Sequence, residues 1–166
     1  PTADSLSSVV KHSGQIVLLG YFFNSQIIAY VSTCKTLFYF FPIRFFGLLS
    51  NISVYEYAQT FAKKKISNLR YNHNKHIILT LGLIILFVIA STTFGPFIYK
   101  LWLGNKFDLS IMLLLVIVLD ASFYALKLST TVVLRSLNRF LTVSITEFII
   151  VLIAMLISYY FLFLGY

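Results

Sequence analysis

A chain of 166 residues that is 59% hydrophobic, 17% aromatic and only 11% charged, with a mean hydropathy of +0.89, excludes an ordinary soluble domain, in which about 25% of residues are charged. The formal net charge of +8 does not indicate a nucleic-acid binder, because the basic residues lie between apolar runs rather than on one solvated patch. Cys34 stands alone, which excludes a disulfide framework and a thiolate metal cluster.

In chain order, Pro1 to Gly20 carries Asp4, Lys11 and His12 and is too short and too charged for a complete span. It is expected to be the end of an earlier transmembrane helix, in a chain that starts partway through a larger protein. The apolar stretch 22–52 reads as the first full span. Lys35 and Arg44 interrupt it, Arg44 placed to snorkel, and a kink is expected at Pro42. From Ser53 to His76 the composition changes to Glu56, Lys63, Lys64, Lys65, Arg70, Lys75 and two histidines. This basic segment is expected to be a cytoplasmic loop under the positive-inside rule. The spacing of Ala62, Ile66 and Leu69 suits a short amphipathic helix within it.

The charge-free run 77–94 predicts a second span that Gly95-Pro96 would stop, with Tyr99 and Trp102 at the far interface. The third span, 109–135, carries Asp120 near its middle and Lys127 seven residues later. At 3.6 residues per turn Asp120, Tyr124, Lys127, Thr131 and Arg135 share one drifting stripe, a polar face inside the bilayer. An ionised side chain at that depth costs about 2.5 to 3.5 kcal/mol on insertion scales, so such groups face a partner, a cavity or a pathway. The fourth span, 140–163, holds one charge, Glu147, at a depth similar to that of Lys127, and the two are candidates for an ion pair. The expected architecture is all-α, one polytopic membrane domain over 1–166 with four full spans and a partial first helix.

No histidine spacing suits a metal, and no phosphate-binding glycine loop or nucleophile elbow is present. No enzyme chemistry, cofactor or metal is expected.

Several motifs resemble a known family: Phe94-Gly-Pro-Phe-Ile-Tyr-Lys-Leu-Trp-Leu-Gly104, Asp4 followed by Gly20-Tyr21, Pro42 in the next helix, and Asn138-Arg139. Together they look like the polysaccharide (O-antigen type) flippases of the multidrug/oligosaccharidyl-lipid/polysaccharide exporter superfamily. The resemblance implies a later portion of a 12- to 14-helix, two-bundle transporter in the inner (cytoplasmic) membrane. It implies as substrate a lipid-linked oligosaccharide, carried across the membrane for surface polysaccharide synthesis. Membrane lipids and polysaccharide polymerase or assembly proteins are the expected partners, and nucleic acid is not. The substrate-pathway candidates are Asp120, Tyr124, Lys127, Glu147, Lys35 and Arg44, with Lys35, Lys127 and Arg44 placed to meet the pyrophosphate. The alternatives are a multidrug-type exporter of the same superfamily, a membrane-embedded lipid- or glycan-modifying enzyme, and a non-transporting membrane subunit.

Overall fold

The computed structural model describes residues 14, 16–64, 66–104, 109–137 and 139–164, and they are helical with no strand among them. Asp4 and the other charges before Gly14 lie outside the described residues, as do Lys65, Asp108 and Asn138. A short helical stretch over 16–22 precedes five elements. These are α1 (Ser25–Lys35), which runs through a π-helical turn (Thr36–Phe40) into α2 (Phe41–Ala62), then α3 (Ile66–Leu103), α4 (Ile111–Ser136) and α5 (Phe140–Phe163). Four helices, Ser25–Ala62, Ser67–Leu103, Ile111–Ser136 and Leu141–Phe163, are long and apolar enough to cross a membrane. The chain is a polytopic membrane helix bundle.

The residues fall into two compact units. In the unit made of Pro1–Ser32 and Arg139–Tyr166, Asn24 breaks the helix and starts the next one. Its side-chain oxygen accepts from the Ile27 amide at 3.1 Å, as an N-cap does. Phe22 meets the ring of Tyr159 edge to face at 5.9 Å. Val143 and Ser144 are the buried part of α5.

The other unit, Thr33–Asn138, packs α2, α3 and α4 together, with a core of Phe46, Ile84, Ala125 and Leu128. The buried side of α4 carries four small residues, Ala121, Ser122, Ala125 and Ser129, among Leu114, Ile117, Val118, Leu128 and Val132. Small side chains let backbones approach closely, which matters in lipid, where dispersion and hydrogen bonds rather than a hydrophobic driving force hold helices together. Each pair of helices is also joined by a polar link. The Ser50 hydroxyl donates to Leu128 O (3.3 Å, α2 to α4), Thr80 and Ser129 share a hydroxyl contact (2.9 Å, α3 to α4), and Ser53 meets His76 (3.0 Å, α2 to α3).

Two expectations are corrected. The basic segment 53–76 is helical up to Ala62, turns at Lys63 and Lys64, and is helical again from Ile66. At 1.5 Å per residue α3 is about 57 Å long, whereas its charge-free run from Ile77 to Tyr99 rises about 34 Å, close to the hydrocarbon thickness. The charges therefore mark where the bilayer ends, not where the helix ends. Nor does Gly95-Pro96 stop the helix, since Pro96 lies inside α3. Unwinding there would leave amides and carbonyls without partners in lipid, which costs more than the single bond a proline removes. The helix ends instead at Gly104, whose φ of +64° is the left-handed C-terminal conformation glycine adopts without strain.

Gly95 has a different role. A Cβ on it would stand 3.2 Å from Leu114 Cδ2 and 3.3 Å from Phe38 Cε1. Its missing side chain is what lets α3 seat against both α4 and the π turn.

Candidate functional site

The site grows from the side of α4 that the small-residue face leaves over. On the stripe, Tyr124, Lys127, Thr131 and Arg135 are half-buried and Asp120 is exposed. Thr131 and Thr130 both donate to the carbonyl of Lys127, at 2.8 and 3.0 Å. Threonine hydroxyls that return to their own helix satisfy themselves without water, so the stripe's character comes from its phenol, its carboxylate, its amine and its guanidinium.

The π turn supplies the opposing wall. Pro42 at the start of α2 lacks the amide that would continue the preceding ladder, and the chain takes the wider turn over Thr36–Phe40. Such single-turn bulges redirect side chains. Here Phe38 and Tyr39 are buried, at 4% and 2% exposure, and Tyr39 stands 6.2 Å from the ring of Tyr124. The Asp120 carboxylate is close enough to Tyr39 to act on it electrostatically. Lys127 completes the group, its Nζ lying 4.7 Å above the centre of the Tyr124 ring, within cation–π range.

Three of the six candidate residues, Asp120, Tyr124 and Lys127, are thus brought into one neighbourhood with Tyr39. Lys35 is half-buried at the end of α1, next to the turn that carries Tyr39. Arg44 is exposed on α2. Glu147 is half-buried on α5, with one carboxylate oxygen out of reach of solvent. It belongs to the other compact unit from Lys127. Among the described residues no group of three or more His, Cys, Asp or Glu side chains could hold a metal ion.

Sequence reasoning missed two contributors. Tyr39 lies in a run of five aromatic and aliphatic residues, and only Pro42 just beyond it hints at a disturbed turn. The second is the cluster of Ser53, Tyr57, His73 and His76 between α2 and α3. Tyr57 is buried, donates from its hydroxyl to Asn72 O at 3.3 Å, and meets both imidazoles edge to face at 6.1 and 6.3 Å.

Chemically, an ammonium held over an aromatic face in a low-dielectric setting attracts an anion, and phenols beside it offer hydrogen bonds to phosphate oxygens. The Asp120 carboxylate, one helical turn from Tyr124 and two from Lys127, limits how much negative charge the site accepts. No family profile, no curated protein and no solved structure matches the chain.

Proposed function

We propose that the chain forms part of a membrane flippase that moves a lipid-linked oligosaccharide across the cytoplasmic membrane for surface polysaccharide synthesis. The observation that carries the reading is the half-buried Lys127, on a helix long and apolar enough to cross a membrane and stationed over the ring of Tyr124, which in turn faces Tyr39. Burying a cation in a bilayer is costly, and cations so placed are found facing a pathway or a partner. A pyrophosphate headgroup crossing the membrane has the complementary charge and acceptor oxygens. The motifs around Gly95-Pro96 and Leu101-Trp-Leu-Gly104, similar to those of the polysaccharide flippases, supply the substrate class. The basic residues from Lys63 to Lys75 favour a cytoplasmic position for the α2–α3 connection.

Disruption of the gene in its native host tests the reading. Lipid-linked oligosaccharide should accumulate in the cytoplasmic leaflet while surface polysaccharide is lost. Unchanged surface glycan would overturn it. A second reading, export of amphiphilic organic cations, is favoured by Asp120 standing near two tyrosine rings, a setting that suits a lipophilic cation. Unchanged glycan together with new sensitivity to such cations would select it.

A further inference from the structure

The Ser53–His76 contact can be read proton by proton. A serine hydroxyl has one hydrogen to give, and that of Ser53 is directed to Leu49 O at 3.2 Å. The 3.0 Å contact with His76 Nδ1 is made together with that one only when the serine oxygen accepts and the imidazole donates. That arrangement is the neutral tautomer with its hydrogen on Nδ1 and a bare lone pair on Nε2. Nε2 is buried and has no hydrogen-bond partner among the described residues.

A buried acceptor left without a donor forfeits the hydrogen bond it would make in water, which calls for an explanation. The atom is closed off, so a ligand larger than a proton cannot reach it without rearrangement. Among the described residues no group of three or more His, Cys, Asp or Glu side chains surrounds it either. We propose that His76 Nε2, in the Ser53–Tyr57–His73–His76 cluster, is a proton-binding site that adjusts the packing of α2 against α3. The proposal goes beyond the transport reading and does not depend on the substrate.

The charged and titratable groups around it come from three helices. On α2 they are Glu56 and Tyr57, and on α3 His73, one turn from His76 and also with a buried nitrogen, Nδ1, lacking a partner. On α4 the group is Arg135. The contacts of Gly95 with Leu114 and of Thr80 with Ser129 set an antiparallel register, which places Arg135 at the level of Asn74, within a turn of His76. Burial is the largest influence and opposes a proton on either ring; at His76 the neighbouring His73 opposes it further and Glu56 favours it. Two imidazolium ions one turn apart oppose each other, so the pair takes up one proton before two. A proton on Nε2 creates a buried N–H with no acceptor. The ring then turns to find one, and the Ser53 bond and the Tyr57 edge contact are lost together. Those two contacts join α2 to α3 at this end, so protonation loosens the pair there.

The test is a nitrogen-15 histidine spectrum of the full chain in lipid nanodiscs, followed from about pH 8 to about pH 4, because burial moves both imidazoles below their ordinary range. Comparison with His76→Gln, and independently with His73→Gln, identifies the His76 signals. The expected result is an Nδ1-protonated neutral ring at the upper end, then protonation of Nε2 with the Tyr57 ring resonances shifting in the same step. An Nε2-protonated neutral ring at about pH 8, a ring that stays neutral to about pH 4, or protonation that leaves Tyr57 unmoved would each overturn the proposal. Ser53→Ala, which leaves the helices intact, should abolish the tautomer preference. A pure Nδ1–H tautomer in that variant would contradict the role given to Ser53.

Discussion

The Nζ of Lys127 rests 4.7 Å above the ring of Tyr124, and that ring in turn faces the buried Tyr39 at 6.2 Å. The lysine is one turn further along the same helix, so helical geometry alone brings it over the ring. The π turn then fixes the ring from behind.

This relationship should be measurable as an energy. A double-mutant cycle with Lys127→Met and Tyr124→Leu, read from reversible unfolding in detergent, should give a coupling of about 0.5 to 2 kcal/mol, the range from exposed to desolvated cation–π pairs. Tyr124→Phe keeps the ring and should retain most of that coupling. Additive single variants would mean that the ammonium and the ring do not interact.

Substitutions at Gly95 separate two opposing effects. Gly95→Ala gains up to about 1 kcal/mol of helix propensity but pushes on Leu114 Cδ2 and Phe38 Cε1, the ends of side chains that can yield by the few tenths of an ångström required. The alanine variant should therefore melt close to the wild type. Gly95→Val leaves nowhere for the extra methyls and should destabilise by about 1 to 3 kcal/mol. Equal stability of wild type and valine variant would show that α3 does not approach Phe38 and Leu114 closely.

The buried contact between Thr80 and Ser129, 1% and 4% exposed, has a legible direction. Thr80 gives its hydrogen to His76 O at 2.9 Å, so Ser129 is the donor between them. Interhelical hydrogen bonds of this type in membranes average about 0.6 kcal/mol and reach about 1.7. A cycle with Thr80→Val and Ser129→Ala should fall in that range. A coupling of zero would remove the contact as a tie between α3 and α4.

How much of this could be read from residues alone varies along the chain. Apolar length announces membrane-spanning helices, because the bilayer imposes one requirement on all of them. The Asp120–Lys127 stripe was equally open to inspection, since helical period alone groups its members. The π turn at Thr36–Phe40 was not legible: a single wide turn leaves no periodic trace, and Tyr39 looks like any other aromatic in its run. The Ser53–His76 cluster was hidden for another reason. Charges at Lys63, Lys64, Arg70 and Lys75 look like a loop when judged by composition, although a helix can continue into water once it has left the lipid. Gly95-Pro96 was misread by a rule from soluble proteins, where water satisfies the backbone that proline frees.

The most direct measurement concerns Lys127 itself. The complete protein would be purified and reconstituted into vesicles, and transbilayer movement of a pyrophosphate-linked oligosaccharide lipid followed by the access of a sugar-modifying reagent from outside. Because the role assigned to Lys127 is to meet the pyrophosphate as a cation, Lys127→Ala should lower the rate by about two orders of magnitude, the consequence of losing a charge-assisted contact worth about 3 kcal/mol. Lys127→Arg should retain substantial movement, with both variants inserted as well as the wild type. An alanine variant that moves the lipid at the wild-type rate would contradict the account.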